Sequence, residues 1–266
     1  MLCILGASVI GGVNLFLLIG ARGKVSWRNF LPAYWISWAW GLVVPGQVGD
    51  IAGISLLLRQ HQIALHESLS RSILDKSISL LVMLLFALAG LSAIGWGPGK
   101  INLPSPRDVL ILSGILLLMS VAWKRFLGEY FRARAPALAR LVSRLCSEIR
   151  TTGRDNRGRL VVNAALSVLK VSLIGTAYWL VFRAAGQTQL QPLPVIGLAA
   201  ASSVVAYLPI SFNGLGTVEI TAISLFSRLG ASGAVTLSVY LSLRLMVLLL
   251  AWLPAVLWML TRSKQE

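Results

Sequence analysis

The sequence predicts an all-α, polytopic membrane protein with about five full membrane spans plus two re-entrant or broken-helix hairpins. Of its 266 residues, 56% are hydrophobic and only 12% are charged, whereas soluble domains carry about 25% charged residues. Several apolar stretches approach 20 residues, the length that crosses roughly 30 Å of hydrocarbon as a helix. The chain has too little polar surface for a soluble globule, so we predict a single membrane domain over 1–266.

Five apolar runs are predicted to be full spans. The first is apolar from its second residue and lacks both a basic leading segment and a small-residue cleavage site, so we expect a retained span rather than a signal peptide. Pro254 should kink the last run, because proline cannot donate the helical backbone hydrogen bond. The five predicted spans are 2–20, 72–95, 109–123, 160–182 and 232–261.

Two other apolar stretches are broken by turn residues. The stretch 29–58 breaks at Pro45-Gly46, and the apolar piece that follows is too short to cross a membrane. The stretch 192–227 breaks in the same way near 213–216. We predict that each is a hairpin that enters and leaves the bilayer on one side. The alternative is a pair of full spans with broken ends.

The positive charge is concentrated between apolar spans. The chain has a net charge of +15, and segment 124–159 holds ten Lys or Arg residues against three acidic ones. Basic loops beside membrane spans face the cytoplasm and its anionic lipids. We therefore predict a multi-pass protein of the cytoplasmic (plasma) membrane, with 124–159 and the C-terminus inside. Nucleic acid is not an expected partner, because no recognition fold surrounds the charge.

A span, a hairpin and a span occur twice along the chain, with opposite predicted orientation. Residues 1–95 form the predicted first repeat, 96–159 hold a linking span and the basic cytoplasmic segment, and 160–266 form the second repeat. Such inverted repeats are typical of transporters. One spacing agrees with the repeat, because 25 residues separate two charged positions in each half. These positions are Asp50 and Asp75, and Glu219 and Arg244.

Both predicted turns join glycine to a following acidic residue. A half-helix that starts after such a turn offers free N–H groups and the positive end of its dipole, which suit a phosphate oxygen or a carboxylate. Packing of glycines in ordinary kinked helices is the alternative interpretation. The motifs are Pro45-Gly46-x-x-Gly49-Asp50 in the first turn and Asn213-Gly214-x-Gly216-x-x-Glu219 in the second.

Charged residues inside or beside the apolar runs are the second sign of a binding site. A charge at the centre of a bilayer costs about 2.5–3.5 kcal/mol on insertion scales, so it usually pairs or faces a cavity. A cationic cavity would suit an anionic headgroup. The alternative is a set of structural ion pairs, such as Lys76 with Asp50 or Arg244 with Glu219. The candidate substrate-binding residues are the turn residues above together with Asp75, Lys76, Lys170 and Arg244.

Catalysis has little support in the sequence. The two histidines, His61 and His66, fall in a polar loop predicted to lie inside, and no His, Cys or acidic cluster has metal-ligand spacing. No phosphate-binding Gly-Lys-Ser/Thr loop is present. We therefore expect no metal, no cofactor and no enzymatic activity.

Four stretches resemble the flippase-like membrane family that includes the transmembrane region of lysylphosphatidylglycerol synthase. They are 44–50, 74–76, 208–219 and 243–245. The resemblance covers about residues 2–260 and implies translocation of lipids or polyprenyl-linked intermediates. It implies that Asp50, Asp75 with Lys76, Glu219 and Arg244 are the polar motif residues. The family often has an arginine three residues after the first acid, where this chain has Gly53. No soluble aminoacyl-transfer domain is present, so we expect no lipid synthesis.

Three functions follow from these patterns. The first is the flipping of an anionic or aminoacylated phospholipid, or of a polyprenyl-linked lipid, with membrane lipids as partners. The second is a scaffold that holds a lipid-modifying enzyme at the membrane through the basic segment, whose part 125–150 is amphipathic. The third is a secondary transporter of a small anion. Substitution of Glu219 or Arg244 should abolish the first and third functions and leave the second intact.

Overall fold

The computed structural model describes residues 1–19, 25–43, 48–58, 63–94, 157–207 and 211–262, together with Ser147 and Thr151. Over the longer of these ranges the chain forms eight α-helices, joined in places by short 3-10 turns, and no strands. The predicted all-α class is therefore confirmed. The helices are α1 (Leu2–Ile19), α2 (Trp27–Gly41), α3 (Val48–Leu58), α4 (Leu65–Ala93), α5 (Arg157–Ala184), α6 (Pro192–Val204), α7 (Thr217–Phe226) and α8 (Gly233–Arg262).

Four of the helices are long and apolar enough to cross a membrane. They are α1, α4, α5 and, over Gly233–Pro254, α8. Each corresponds to one of the predicted full spans. The fifth predicted span, 109–123, lies outside the described residues, as does nearly all of the basic segment.

The two predicted hairpins appear as pairs of short helices. Helices α2 and α3 have 15 and 11 residues, and α6 and α7 have 13 and 10. None reaches the roughly 20 residues that a span needs. Between α6 and α7 the chain passes through 3-10 turns at Val205–Tyr207 and Phe212–Gly214. The break between α2 and α3, at 44–47, lies outside the described residues.

The two halves of the fold use the same set of helix contacts. In the first half, α1 and α3 each contact both α2 and α4; in the second half, α5 and α7 each contact both α6 and α8. The halves meet where α1 packs against α5, where α6 packs on α4, and where α2 packs on α8. Matching sets of contacts in the two halves agree with an internal repeat. The division of the chain into repeats remains a prediction.

The contact between α4 and α6 is made by glycines. A Cβ placed on Gly90 would overlap the backbone of Gly197, and the reverse holds for a Cβ on Gly197. Small residues of this kind let two membrane helices approach until their backbones touch. Val82 of α4 and Ala200 of α6 extend the contact and are buried with Val171 of α5.

The start of α4 differs from the prediction. The helix begins at Leu65, seven residues before the predicted span, so Arg71 belongs to the helix and not to a polar loop. Its guanidinium pairs with Glu67 at 2.8 Å and donates to the carbonyl oxygens of Leu18 and Ile19 at 3.0 and 2.9 Å. Both carbonyls lie in the last described turn of α1. The charge is therefore used to cap another helix, which its position in the sequence did not reveal.

The glycine contact predicts a sharp sensitivity to one added methyl group. Gly90→Ala or Gly197→Ala should force α4 and α6 apart and lower the free energy of unfolding by about 1–3 kcal/mol, the usual cost of overpacking. Thermal unfolding of the detergent-solubilised protein would measure the effect. Gly158→Ala is the control, since a Cβ at that helical position meets nothing within 4 Å. Equal stability of the three variants would contradict the packing described.

Candidate functional site

A cavity of about 520 Å³ lies among the helices. Its walls come from α1, α2, α4, α5, α7 and α8 and from the end of α6, and most of them are apolar. Five of the predicted site residues reach it from five different elements, although they are far apart in the chain. They are Lys76, Lys170, Asn213, Glu219 and Arg244.

An ion pair between α7 and α8 forms one end of the cavity. Arg244 Nε and Nη2 donate to Glu219 Oε1 at 2.9 and 2.7 Å. A third donor, Nη1, lies 3.4 Å from the carbonyl oxygen of Asn213. The Glu219 side chain is 5% exposed and that of Arg244 is 21% exposed, so the guanidinium keeps an open side toward the cavity. The pair proposed as a structural alternative therefore exists, and it lines the site.

Left-handed backbone makes the second turn. Asn213, Gly214 and Gly216 have φ values of 46°, 75° and 83°. At Gly214 an added Cβ would also meet Val218 Cγ2 at 2.5 Å and Ala206 Cβ at 2.9 Å. Glycine is needed there because only a residue without Cβ adopts this conformation at no steric cost and leaves room for its neighbours.

The N-terminus of α7 is closed partly by its own side chain. Glu219 Oε2 accepts the backbone N–H of Gly216 at 2.7 Å, which is half of a capping box. The prediction expected free N–H groups here for a phosphate oxygen. One of them is already held by a carboxylate, so an anion in the cavity would meet the guanidinium of Arg244 more directly than this N–H.

Lys170 and Lys76 also line the cavity. Lys170 is the fourteenth of 28 residues in α5, which agrees with its predicted central depth. Its Nζ donates to Ser79 Oγ of α4 at 3.1 Å. Both lysines also line a second, smaller cavity of about 30 Å³ with Asp75, Ser37 and Ser72. That volume and its polar walls suit a buried water molecule.

Asp75 is buried and not interfacial. It is the eleventh residue of α4 and 4% exposed. One carboxylate oxygen accepts from Asn163 Nδ2 of α5 at 2.8 Å. The same amide nitrogen lies 3.3 Å from the carbonyl oxygen of Asn14 in α1. Asp75 therefore belongs to the interface of three spans.

This interface carries polar residues that the sequence analysis missed. Asn14 Nδ2 donates to Ser167 Oγ at 2.9 Å, and Ser167 Oγ lies 3.3 Å from Ser79 Oγ, which receives Lys170. The chain of contacts links Asp75 to Lys170 through buried side chains. An asparagine within each of two apolar spans was the available signal, because amides in hydrocarbon need partners.

The first turn is only partly defined. Pro45 and Gly46 lie outside the described residues, and for Gly49 and Asp50 the structure describes helical backbone alone. Their predicted role at the site remains a prediction. Leu42 and Val43, which directly follow α2, line the cavity, so the end of α2 reaches it.

Aromatic side chains contribute much of the cavity wall. The tilted rings of Tyr240 and Tyr178 pack with their centroids 4.5 Å apart. The Tyr240 hydroxyl lies 2.7 Å from Ser202 Oγ. Tyr34, Trp38 and Tyr207 also line it. The sequence analysis did not single out these rings, since aromatic residues in apolar spans usually pack in the core. Where the chain is described, no group of three His, Cys or acidic residues could hold a metal ion.

The sequence profile of one protein family matches residues 1–255 of the chain. The family is described as the lysylphosphatidylglycerol synthase TM region, which confirms the resemblance inferred from the motifs. Comparison with curated proteins found no match, and comparison with solved structures found none. At the position where the family often has an arginine, a Cβ on Gly53 would lie 2.9 Å from Ser37 Oγ. Contact with α2 thus favours glycine there.

The ion pair gives a stability prediction. Arg244→Gln should lower the free energy of unfolding by about 3 kcal/mol, because it leaves the Glu219 carboxylate buried without its partner. Glu219→Gln combined with Arg244→Gln should cost less, since both charges are then gone. Thermal unfolding in detergent measures both, with Arg228→Gln in an exposed turn as control. A double variant less stable than the single one would contradict the pairing.

Proposed function

This chain belongs to the family of the transmembrane region of lysylphosphatidylglycerol synthase, a membrane family related to lipids, and we propose that it moves a lipid with a phosphate-bearing headgroup across the bilayer. The headgroup would occupy the cavity at Arg244, Lys170 and Lys76. The acyl or polyprenyl chains would remain in the surrounding hydrocarbon. The protein itself catalyses no bond change in this proposal.

The observation that carries the proposal is the charge of the cavity. Three cationic side chains reach a mostly apolar space between membrane spans. Among the described residues of its wall, the only acid is Glu219, and both of its oxygens are already engaged. A cation in hydrocarbon is costly unless it pairs or faces a polar pathway. A phosphate in the cavity would add an anionic partner close to these cations.

The size and lining of the cavity support a headgroup as its occupant. About 520 Å³ falls within the range of small-molecule sites, roughly 300–1,000 Å³. Mostly apolar walls with a few convergent charges are typical of such sites. Tyrosine hydroxyls add donors that can serve glycerol or sugar hydroxyls without adding charge.

The barrier to unaided flipping explains why such a cavity would be useful. A lipid phosphate that leaves the interface loses its water and crosses hydrocarbon as a charge. Cations placed at the depth of Lys170 would offset that loss where it is largest. The same arrangement needs no nucleotide, so we propose that lipid imbalance or an ion gradient drives net movement. We propose the cytoplasmic membrane as its location, with the basic segment inside.

Lipid movement in proteoliposomes tests the proposal. Purified protein is reconstituted with trace fluorescent phosphatidylglycerol or phosphatidylcholine, and an impermeant quencher reports transbilayer movement. Lys170→Gln should slow phosphatidylglycerol movement about tenfold to hundredfold, since a hydrogen bond to a charged group contributes about 1.5–3 kcal/mol. The paired variant Glu219→Gln, Arg244→Gln should lose a similar amount.

The control is on the same helix as Lys170. Arg183→Gln removes an exposed cation that stacks over Trp179 and does not line the cavity, so it should move lipid at the wild-type rate. Equal rates in Lys170→Gln and Arg183→Gln would refute the site. Protein that moves no phosphate-bearing lipid, polyprenyl phosphate included, would refute the function and favour the scaffold.

A further inference from the structure

A proline in α8 leaves one backbone carbonyl without its helical donor. Pro254 has no N–H, so the carbonyl of Leu250, four residues earlier, lacks the usual bond. The indole Nε1–H of Trp35 in α2 donates to that oxygen at 3.0 Å. In hydrocarbon a carbonyl has no water as an alternative partner. Trp35 therefore supplies from the neighbouring helix what Pro254 removed.

The contact between α2 and α8 also contains large aromatic rings. The rings of Trp40 and Trp252 meet edge to face with centroids 5.9 Å apart. Ala251, fully buried, packs there with Ile36 and Ala39. Side chains, and not backbones, thus separate these two helices. We name this contact the tryptophan seam.

The mirrored contact has the opposite construction. Helices α4 and α6 touch backbone to backbone at Gly90 and Gly197. Helix α4 contains no proline, and the prolines of α6 lie in its first turn. Helices α2 and α8, in contrast, each contain an internal proline, at Pro32 and Pro254. Proline weakens the helical ladder locally and allows a kink. Of the two seams, only the tryptophan seam lies between two helices that each contain an internal proline.

The cavity extends to the tryptophan seam. Trp38, Leu42 and Val43 line it from α2, and Val247 and Leu248 line it from α8. Val43 is 46% exposed, so this edge of the wall faces outward. Separation of α2 from α8 would therefore connect the cavity to the surrounding lipid.

We propose that the tryptophan seam is the lateral gate by which a lipid headgroup enters the cavity, and that the Trp35–Leu250 hydrogen bond is its latch. The α4–α6 contact stays closed and serves as the fixed side. This inference rests on the proposed lipid movement for its purpose, but the opening of the seam can be measured without it. The bond is a suitable latch because its breakage exposes only the carbonyl that Pro254 already leaves without a helical donor, and the rest of the helical ladder stays intact.

The latch is tested by a double-variant cycle that does not require transport. In a background with Cys3→Ala and Cys146→Ala, Ala177→Cys places a thiol on the buried cavity wall. A lipid-soluble maleimide then reports access from the bilayer. Trp35→Phe removes only the indole donor and should speed labelling about threefold, the factor that corresponds to an average hydrogen bond between membrane helices.

Pro254→Ala provides the matched control for the latch. It restores the helical N–H to the Leu250 carbonyl, so Trp35→Phe should then leave the labelling rate unchanged. An equal effect of Trp35→Phe with and without Pro254 would overturn the latch. So would the absence of any effect in the native helix.

The gate is tested by closing it. Trp40→Cys with Trp252→Cys, joined by a short bifunctional thiol reagent, should slow both maleimide labelling of the cavity and lipid movement at least tenfold. Cleavage of the linker should restore both rates, and each single cysteine variant treated in the same way should be unaffected. Lipid movement that persists in the cross-linked protein would overturn the gate and leave the proposed function standing. If the wild-type protein moves no lipid, the proposed function fails, and the labelling rates alone decide for or against the gate.

Discussion

The carboxylate of Glu219 holds the break in the second hairpin, and the rest of the site depends on that break. One of its oxygens accepts the backbone N–H of Gly216 and the other binds Arg244 of α8. Non-helical backbone survives at membrane depth only where protein supplies its partners. The turn from α6 to α7 is therefore tied to a full span by one side chain. The same tie places a guanidinium at the wall of the cavity.

Other parts of the fold follow the same rule of backbone satisfaction. Arg71 donates to the last carbonyls of α1, and Arg159 donates to Leu17 O at 3.2 Å. Trp35 donates to the carbonyl that Pro254 leaves without a helical partner. In these three cases a side chain from another helix satisfies the carbonyl oxygen. Lipid tails can cover an apolar helix face as well as another helix can, so apolar contact alone does not select a partner. An unsatisfied polar group in hydrocarbon is costly, so these hydrogen bonds make the helix packing specific.

The polar groups divide into those that stabilise and those that face the cavity. Arg71 and Glu67 are buried together and do not line it, so their charge acts on the fold alone. Lys170 is anchored by Ser79 and also reaches the cavity, so one residue belongs to both groups. Arg244 is similar, because its pairing with Glu219 leaves 21% of its side chain exposed. If these residues bind a ligand and also stabilise the fold, their substitution would affect both binding and stability.

Much of the fold was predictable because hydrocarbon thickness sets a length that a sequence reveals directly. The spans at α1, α4, α5 and α8 were found from apolar runs, and the interruptions at glycine and proline marked the short helices. Lys170 was also correctly placed at the middle of its span. The extension of α4 to Leu65 was missed because Glu67 and Arg71 resemble loop residues until α1 is packed beside them.

The sequence by itself determined the class of protein, four of its spans, the short helices and which charged residues are unusual for a membrane. Only the tertiary structure decided what those charges meet. It paired Glu219 with Arg244, joined Asp75 to Lys170 through Asn163 and Asn14, and set Trp35 against the carbonyl freed by Pro254. The physical reason is that insertion cost depends on each residue alone, whereas satisfaction of a polar group depends on partners that lie as many as 215 residues away in the chain.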